Sequence, residues 1–210
     1  MTDSETLRSM LGRDPSTPEL AAHIAALSLD APDSASPDVK VYSDAVYFNY
    51  HKLGISFVYK PISGYEPRTG SSRDQLNEGK LLLDSIDLYN ATELLAGKSK
   101  STGVQAYATY RGLPLTLSLF AKTTDGKERP TSLEVKSTTT GKDFVECLGE
   151  PDRKGGGTGP STGSIDIWCE WSKDGLMVEF GGDKARGPQA WERGKEALWK
   201  VVSIFHAAKD

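Results

Sequence analysis

The sequence predicts an α+β fold in which two tandem repeats, each with a helix, a hairpin and a further strand, form antiparallel sheet with the helices on one face. Residues 165–181 (IDIWCEWSKDGLMVEFG) alternate apolar and polar side chains on both sides of a Lys-Asp-Gly turn, which is typical of a β-hairpin. Residues 46–59 (VYFNYHKLGISFVY) repeat this pattern, with Gly54 in the place of Gly175. A Leu-Gly pair precedes each hairpin and an apolar segment follows each. Because the elements match in the same order, we predict a duplication, with residues 1–110 as the first repeat and residues 111–210 as the second.

The first repeat is predicted to begin with two helices. Residues 6–11 have apolar side chains at helical spacing and end at Gly12. A second helix is expected to start at Pro18, with Thr17 as its N-cap, and to continue to residue 29. Its buried face is predicted to consist of Leu20, Ala21, Ile24 and Leu27, with His23 beside it.

The strands of the first repeat follow a loop rich in Pro, Ser and Asp. They are predicted at residues 40–50, 53–60 and 80–89, with a polar loop at 61–79 and a short helix at 91–95 after the third strand. His51 lies at the tip of the hairpin, where we expect its side chain to be solvated.

The second repeat contains a strongly alternating segment, LPLTLSLF at residues 113–120, which places four leucines on one face of a strand. Pro114 indicates either an edge strand or the start of the strand. Leu133 and Val135 indicate another short strand. Residues 140–148 form a helix with an N-cap at Thr139 or Thr140. The remaining predictions are a glycine-rich connecting loop at 151–164, a loop at 182–193, and a strand or helix at 197–206.

Composition and motifs exclude several functions. The net charge of −4 argues against nonspecific binding to nucleic acid, and no apolar run approaches the roughly 18 residues of a membrane-spanning helix. Cys147 and Cys169 are expected to be reduced and buried, as in a cytoplasmic protein. The sequence contains no cofactor, metal or catalytic motif, so we expect no cofactor. An acid–base pair of Asp84 or Asp87 with a carboxylate of the second hairpin is the catalytic alternative.

The second repeat resembles a known architecture. The pattern is a short helix, Leu-Gly-x-Pro-Asp, a glycine-rich loop and a Trp-x-x-Trp strand, and it is carried by Phe144, Val145, Leu148, Gly149, Pro151, Asp152, Trp168 and Trp171. These residues resemble the β-lactamase-inhibitor-protein (BLIP)-like architecture, which small outer-membrane assembly lipoproteins of the SmpA/OmlA type share. The resemblance implies a tandem α+β fold that binds other proteins, often on the open face of its sheet, and is not an enzyme.

Strand alternation assigns the side chains to two faces. The core-facing set is expected to be Val46, Phe48, Tyr50, Ile55, Phe57, Tyr59, Ile165, Ile167, Cys169, Trp171, Leu176, Val178 and Phe180. The candidate binding residues on the opposite face are Tyr47, Asp87, Tyr89, Trp168, Glu170, Met177 and Phe205. Aromatic side chains among polar ones are typical of a binding surface, unless another part of the chain covers them.

Two functions follow from this assignment. The first is a protein-binding or inhibitory module that uses the aromatic sheet face. The alternative is an enzyme or small-ligand-binding protein with a pocket between the repeats, lined by Tyr47, Asp87, Trp168 and Glu170. Arg153 and Lys154, in the glycine-rich stretch, are the candidate anion-binding residues, although the phosphate-loop spacing is absent and a flexible connector is the preferred interpretation.

Overall fold

A computed structural model describes residues 2–91, 106–123, 126–158 and 164–208. Its strands are β1 (Thr2–Asp3), β2 (Asp38–Val41), β3 (Val46–Tyr50), β4 (Ile55–Pro61), β5 (Leu81–Tyr89), β6 (Leu115–Ser118), β7 (Ser132–Val135), β8 (Arg153–Thr158), β9 (Ser164–Trp171), β10 (Leu176–Gly181) and β11 (Leu198–Phe205). Its α-helices are α1 (Ser4–Arg8), α2 (Pro18–Leu27), α3 (Gly141–Leu148) and α4 (Ala190–Arg193). The short helix predicted at residues 91–95 falls almost wholly outside the described residues.

The strands form two sheets, which confirms the α+β class and the antiparallel character. The larger sheet has eight strands among the described residues, in the order β2-β3-β4-β5-β11-β10-β9-β8, and every neighbouring pair is antiparallel. The smaller sheet has the order β1-β6-β7, and β1 runs parallel to β6. Four strands of the large sheet come from each side of the proposed boundary at residues 110 and 111. Because these eight strands form one continuous sheet, the division into two units stays a prediction.

The hydrophobic core lies against one face of the large sheet. Alternate residues of the two hairpins are buried there, as the alternation predicts. Helix α3 packs on this face, since the ring of Phe144 meets that of Phe180 edge-on at 6.1 Å between centroids. Helices α1 and α2 contribute Leu7, Leu20 and Ile24 to the same core. None of the described helices is long and apolar enough to cross a membrane.

Capping residues set the start of the longer helices. Thr140 accepts a hydrogen bond from the Asp143 amide, and the Asp143 carboxylate accepts one in return from the Thr140 amide, which together make a capping box. Pro18 occupies the first turn of α2, where its missing N–H leaves no hydrogen bond unmade. Both helix starts confirm the sequence prediction.

The two long hairpins turn in the same way. A single 3₁₀ turn, His51–Leu53 in one and Ser172–Asp174 in the other, connects the strands. Each turn ends on a glycine in the left-handed region, Gly54 with φ of 70° and Gly175 with φ of 62°. Residues with a Cβ rarely adopt this conformation, which explains a glycine at both positions.

Two predicted segments are wrong: one predicted strand is two strands, and one predicted loop contains a strand. Residues 40–50 form not one strand but a tight hairpin of β2 and β3, closed by a hydrogen bond of 2.8 Å from the Tyr42 amide to the Ala45 carbonyl. The glycine-rich segment at 151–164 is not simply a loop, because residues 153–158 form the edge strand β8. A Cβ on Gly155 would lie 2.7 Å from the ring of Trp168, so this glycine makes room for a ring on the neighbouring strand.

Other corrections concern single side chains and one loop. Ile165, expected in the core, is 63% exposed, because it lies at the start of β9 opposite Gly157, which has no side chain to pack against it. Ala21 is exposed, although Leu20 and Ile24 of the same helix are buried. The loop predicted at 182–193 contains a short turn and α4, and the ambiguous segment at 197–206 is the strand β11.

Candidate functional site

The face of the large sheet opposite the core carries a row of side chains across its centre. Cross-strand pairing places Ser56 opposite Asp87, Asp87 opposite Ser203, and Ser203 opposite Met177. Met177 is in turn opposite Glu170. The row therefore joins five strands, β4, β5, β11, β10 and β9. We refer to this side of the sheet as the open face.

Two adjoining cavities lie on the open face. The first, which we call the central cavity, has a volume of about 660 Å³ and lies over β5, β11 and β10. The second, which we call the side cavity, has a volume of about 500 Å³ and extends toward Tyr47 and Phe205. Asp87, Met177 and Ser203 line both cavities, so the two meet over the central row. Volumes of roughly 300–1,000 Å³ are typical of small-molecule sites.

One wall of the central cavity is aromatic. The rings of Tyr89 and Tyr107 stack with their centroids 3.5 Å apart. The centroid of the His51 imidazole lies 4.4 Å from that of the Tyr107 ring. The Tyr107 hydroxyl donates a hydrogen bond of 2.5 Å to Oδ1 of Asn49, and Ser56 donates one of 2.8 Å to the same oxygen. These bonds fix the position of the wall. Burial raises the pKa of both tyrosines, which therefore stay neutral.

His51 is not solvated, contrary to the sequence prediction. Its side chain is only 10% exposed, because it packs against Tyr107 and because Nε2 lies 3.4 Å from the Asp38 carboxylate. A carboxylate can only accept a hydrogen bond, so Nε2 must carry the proton that faces Asp38. In the neutral imidazole this leaves a lone pair on Nδ1.

The opposite wall is a charged network. The ammonium of Lys200 bridges Glu179 at 2.7 Å and Asp166 at 3.0 Å, and Arg186 also binds Asp166. Asp166 is 5% exposed. Its burial opposes ionisation, but the hydrogen bonds from Arg186 and Lys200 outweigh that effect and lower its pKa. Since each charge has an opposite partner, this wall is held rigidly without a net charge.

Asp87 stands between the two walls without a cationic partner among the described residues. Ser203 donates a hydrogen bond of 2.6 Å to its Oδ1. Burial raises the pKa of Asp87, the bond from Ser203 opposes the rise, and the charge of Glu179 adds to it. A carboxyl group whose pKa is raised by burial in a cavity is a common mark of a functional site.

We expect the Asp87→Asn variant to be more stable than the wild type at pH 7, by roughly 0.5–2 kcal/mol. The unfolded chain ionises Asp87 at its ordinary pKa of 3.8, and the folded chain at a higher pH. Folding therefore takes up a proton in that window, and the stability contributed by this group falls as pH rises through it. Asparagine keeps an acceptor for Ser203 and has no charge to bury. Urea unfolding at pH 7 and pH 3.5 measures the difference, which should vanish at the lower pH.

A matched control for this prediction is Asp183→Asn, which removes an equally negative but exposed carboxylate. Its stability should stay within about 0.5 kcal/mol of the wild type at both pH values. A loss of stability in Asp87→Asn at pH 7 would show that the Asp87 charge is stabilising and would contradict the argument from burial.

The structure distributes the sequence-predicted binding residues over three places. Asp87, Tyr89 and Met177 line the central cavity, and Tyr47 and Phe205 line the side cavity. Trp168 and Glu170 point to the same face nearer the β8 edge, where Trp168 lies across Gly155 and Glu170 pairs with Arg153 at 3.3 Å. All seven are half-buried rather than freely exposed.

The candidate anion-binding residues have carboxylate partners. Arg153 binds Glu170, and Lys154 lies 3.8 Å from Glu150 and 5.8 Å from the centroid of the Trp191 ring. Both side chains are more than half exposed. In the described part of the chain, no cluster of three or more His, Cys, Asp or Glu residues has the geometry to hold a metal ion.

Sequence reasoning missed several residues of the central cavity. Alternation places Asn49 and Glu179 on the same face as Tyr47 and Met177, so the pattern could have found both, although the candidate set omits them. The orientation of Lys200 depends on a β-bulge: Glu179 pairs with Val201 but Phe180 pairs with Trp199, so Lys200 has no partner on β10. Alternation in the sequence does not reveal this shift of register. Tyr107 lies outside any strand, and only the folded chain brings it onto Tyr89. No protein-family model, curated protein or solved structure matches the chain.

Proposed function

We propose that the protein is a binding protein that holds a small molecule in the central cavity. The observation that carries the proposal is the combination of a cavity of about 660 Å³ with a partner-poor carboxyl group, Asp87, between a rigid aromatic wall and a rigid charged wall. Rigid walls favour binding because little side-chain freedom is lost when the ligand enters.

A protein partner bound on the same face is the second candidate function. It is favoured by the side cavity, because the two cavities together form a longer depression with Tyr47 and Phe205 at one end. An extended peptide segment, unlike a compact small molecule, would occupy both. The expectation drawn from the resemblance to BLIP-like proteins belongs to this candidate and stays a prediction, as does a cytoplasmic location.

Filling each cavity separately distinguishes the two functions. Val201 lines only the central cavity and Val58 only the side cavity, and both are half-buried on the open face. We expect Val201→Trp to abolish binding of small-molecule fragments detected by saturation-transfer NMR, and Val58→Trp to leave it unchanged. Peptide binding that is lost in both variants would instead favour a protein partner. A fragment screen without any hit that Val201→Trp removes would contradict the proposed small-molecule function.

We also propose that the chain consists of two equivalent units. The support is that the strand order of the large sheet reads outward from the β5–β11 pair in the same sequence of elements on both sides. In addition, the Tyr89 amide donates to the Gly54 carbonyl and the Phe205 amide donates to the Gly175 carbonyl, each at 2.9 Å. If the units are equivalent, the central cavity lies where the third strands of the two units meet.

A further inference from the structure

Two hydrogen-bond acceptors at the central cavity have no donor among the described residues. Among the described residues, three buried side-chain atoms have no hydrogen-bond partner: His51 Nδ1, Tyr59 Oη and Asn90 Oδ1. Two of these residues, His51 and Asn90, line the central cavity. Buried polar atoms are nearly always paired, so the unpaired atoms of these two residues require an explanation.

Both unpaired atoms are acceptors. The Asn90 amide nitrogen donates to the carbonyls of Ser137 at 2.8 Å and Trp199 at 3.0 Å, which identifies the unpaired atom as the carbonyl oxygen. Asn90 follows Tyr89 by one position and bonds to the carbonyl of the core residue Trp199, so its side chain lies on the core side and its oxygen is not an acceptor of the cavity. For His51, the bond to Asp38 leaves Nδ1 as the free acceptor. Asp87 adds a second acceptor at the cavity, since its Oδ2 receives no hydrogen bond from a described residue.

The cations near the cavity do not supply the missing donors, because they have carboxylate partners of their own. Lys200 is held by Glu179 and Asp166, and Lys40 lies 3.4 Å from Asp38. The hydroxyls of Ser203 and Tyr107 are likewise committed, to Asp87 and to Asn49. A ligand that brings N–H donors and a positive charge would satisfy the acceptors and compensate the charge of the half-buried Asp87 carboxylate.

We propose that the ligand of the central cavity is an organic cation whose N–H groups donate hydrogen bonds to the Asp87 carboxylate and to His51 Nδ1. This inference rests on the proposed function and specifies its ligand class. The apolar part of the ligand lies against Tyr89, Tyr107 and Met177, which line the cavity. A carboxylate ligand is disfavoured, because it would add a negative charge beside Asp87 and Glu179 and would bring no donor.

Three probes of one shape test the charge preference. The full chain is titrated with 2-phenylethylammonium, with neutral 2-phenylethanol and with anionic 3-phenylpropionate, and binding is followed through the backbone amide NMR signals of Asp87, Val201 and Ser203. We expect the cation to bind about tenfold or more tightly than the alcohol, as for hydrogen bonds to a charged group, and the anion to bind more weakly than either.

Asp87→Asn should weaken binding of the cation by about tenfold and leave binding of the alcohol unchanged. Asp183→Asn, which lowers the net negative charge equally, should bind all three probes as the wild type does, and the melting temperature of each variant verifies folding. If the alcohol and the cation bind equally well and Asp87→Asn changes neither, the cation inference is wrong while the cavity remains a small-molecule site. If none of the three probes shifts the cavity amides at millimolar concentration, both the inference and the proposed function are wrong.

Discussion

Replacement of Arg129 by methionine is expected to reduce the free energy of unfolding by about 3–5 kcal/mol, because it leaves a buried carboxylate without its partner. Arg129 and Asp174 form an ion pair of 2.6 Å whose side chains are 4% and 2% exposed. The same guanidinium donates to the carbonyls of Phe120 and Leu148, each at 2.8 Å. One side chain thus connects the segment after β6, the end of α3 and the turn of the second hairpin.

The size of this effect follows from the burial of the pair. A domain of ordinary stability has about 5–15 kcal/mol, so the variant would lose a large part of it. Arg153→Met is the matched control, because Arg153 forms an ion pair with Glu170 at 3.3 Å but is 69% exposed. Exposed pairs contribute about 0–1 kcal/mol. Urea unfolding of both variants at pH 7 measures the two values. Equal losses in Arg129→Met and Arg153→Met would contradict the role assigned to burial.

The double variant Arg129→Met/Asp174→Asn separates the charge from the other contacts. With no charge left to bury, it should be more stable than Arg129→Met alone. It should still be less stable than the wild type, since the Phe120 and Leu148 carbonyls have lost their donor. A double variant as unstable as the sum of the two single ones would show that the two side chains do not interact energetically.

The sequence predicted those parts of the fold that local patterning specifies. Alternation identified the buried face of both hairpins, because each strand has the core on one side and a polar surface on the other. It failed at β8, where three consecutive glycines carry no pattern and the strand is stabilised by its pairing with β9. It also failed between residues 40 and 50, where no glycine marks the turn that separates β2 from β3.

The candidate site was predictable only in part, for a related reason. Asp87, Tyr89 and Met177 lie on strands, so their orientation follows from position in the chain. His51, Asn90 and Tyr107 lie in turns and connections, where the side-chain direction depends on tertiary contacts such as the Tyr89–Tyr107 stack. Lys200 and Asp166 are far apart in sequence, and no local rule connects them. Of the two acceptors on which the proposed ligand class rests, Asp87 follows from the sequence, whereas His51 Nδ1 becomes visible only in the folded chain.

The hairpin glycines Gly54 and Gly175 are expected to tolerate alanine poorly. A Cβ on Gly54 would lie 2.5 Å from both the Ala108 carbonyl oxygen and the Tyr110 nitrogen, and one on Gly175 would lie closer still to the Phe205 carbonyl. Alanine at either position must therefore both adopt a positive φ and displace backbone. We expect Gly54→Ala and Gly175→Ala each to lose about 2–5 kcal/mol, from the left-handed conformation and from overpacking together.

Gly70 provides the control that separates the two costs. Its φ of 80° is also left-handed, but a Cβ there would meet nothing within 4 Å. Gly70→Ala should therefore lose only the conformational part, about 1–2 kcal/mol. Thermal and urea unfolding of the three variants test the ranking, and a loss in Gly70→Ala as large as in the other two would contradict the steric argument. The carbonyls of Gly54 and Gly175 each accept a hydrogen bond from the third strand of one proposed unit. If the two units are equivalent, Gly54→Ala and Gly175→Ala should therefore lose similar amounts of stability.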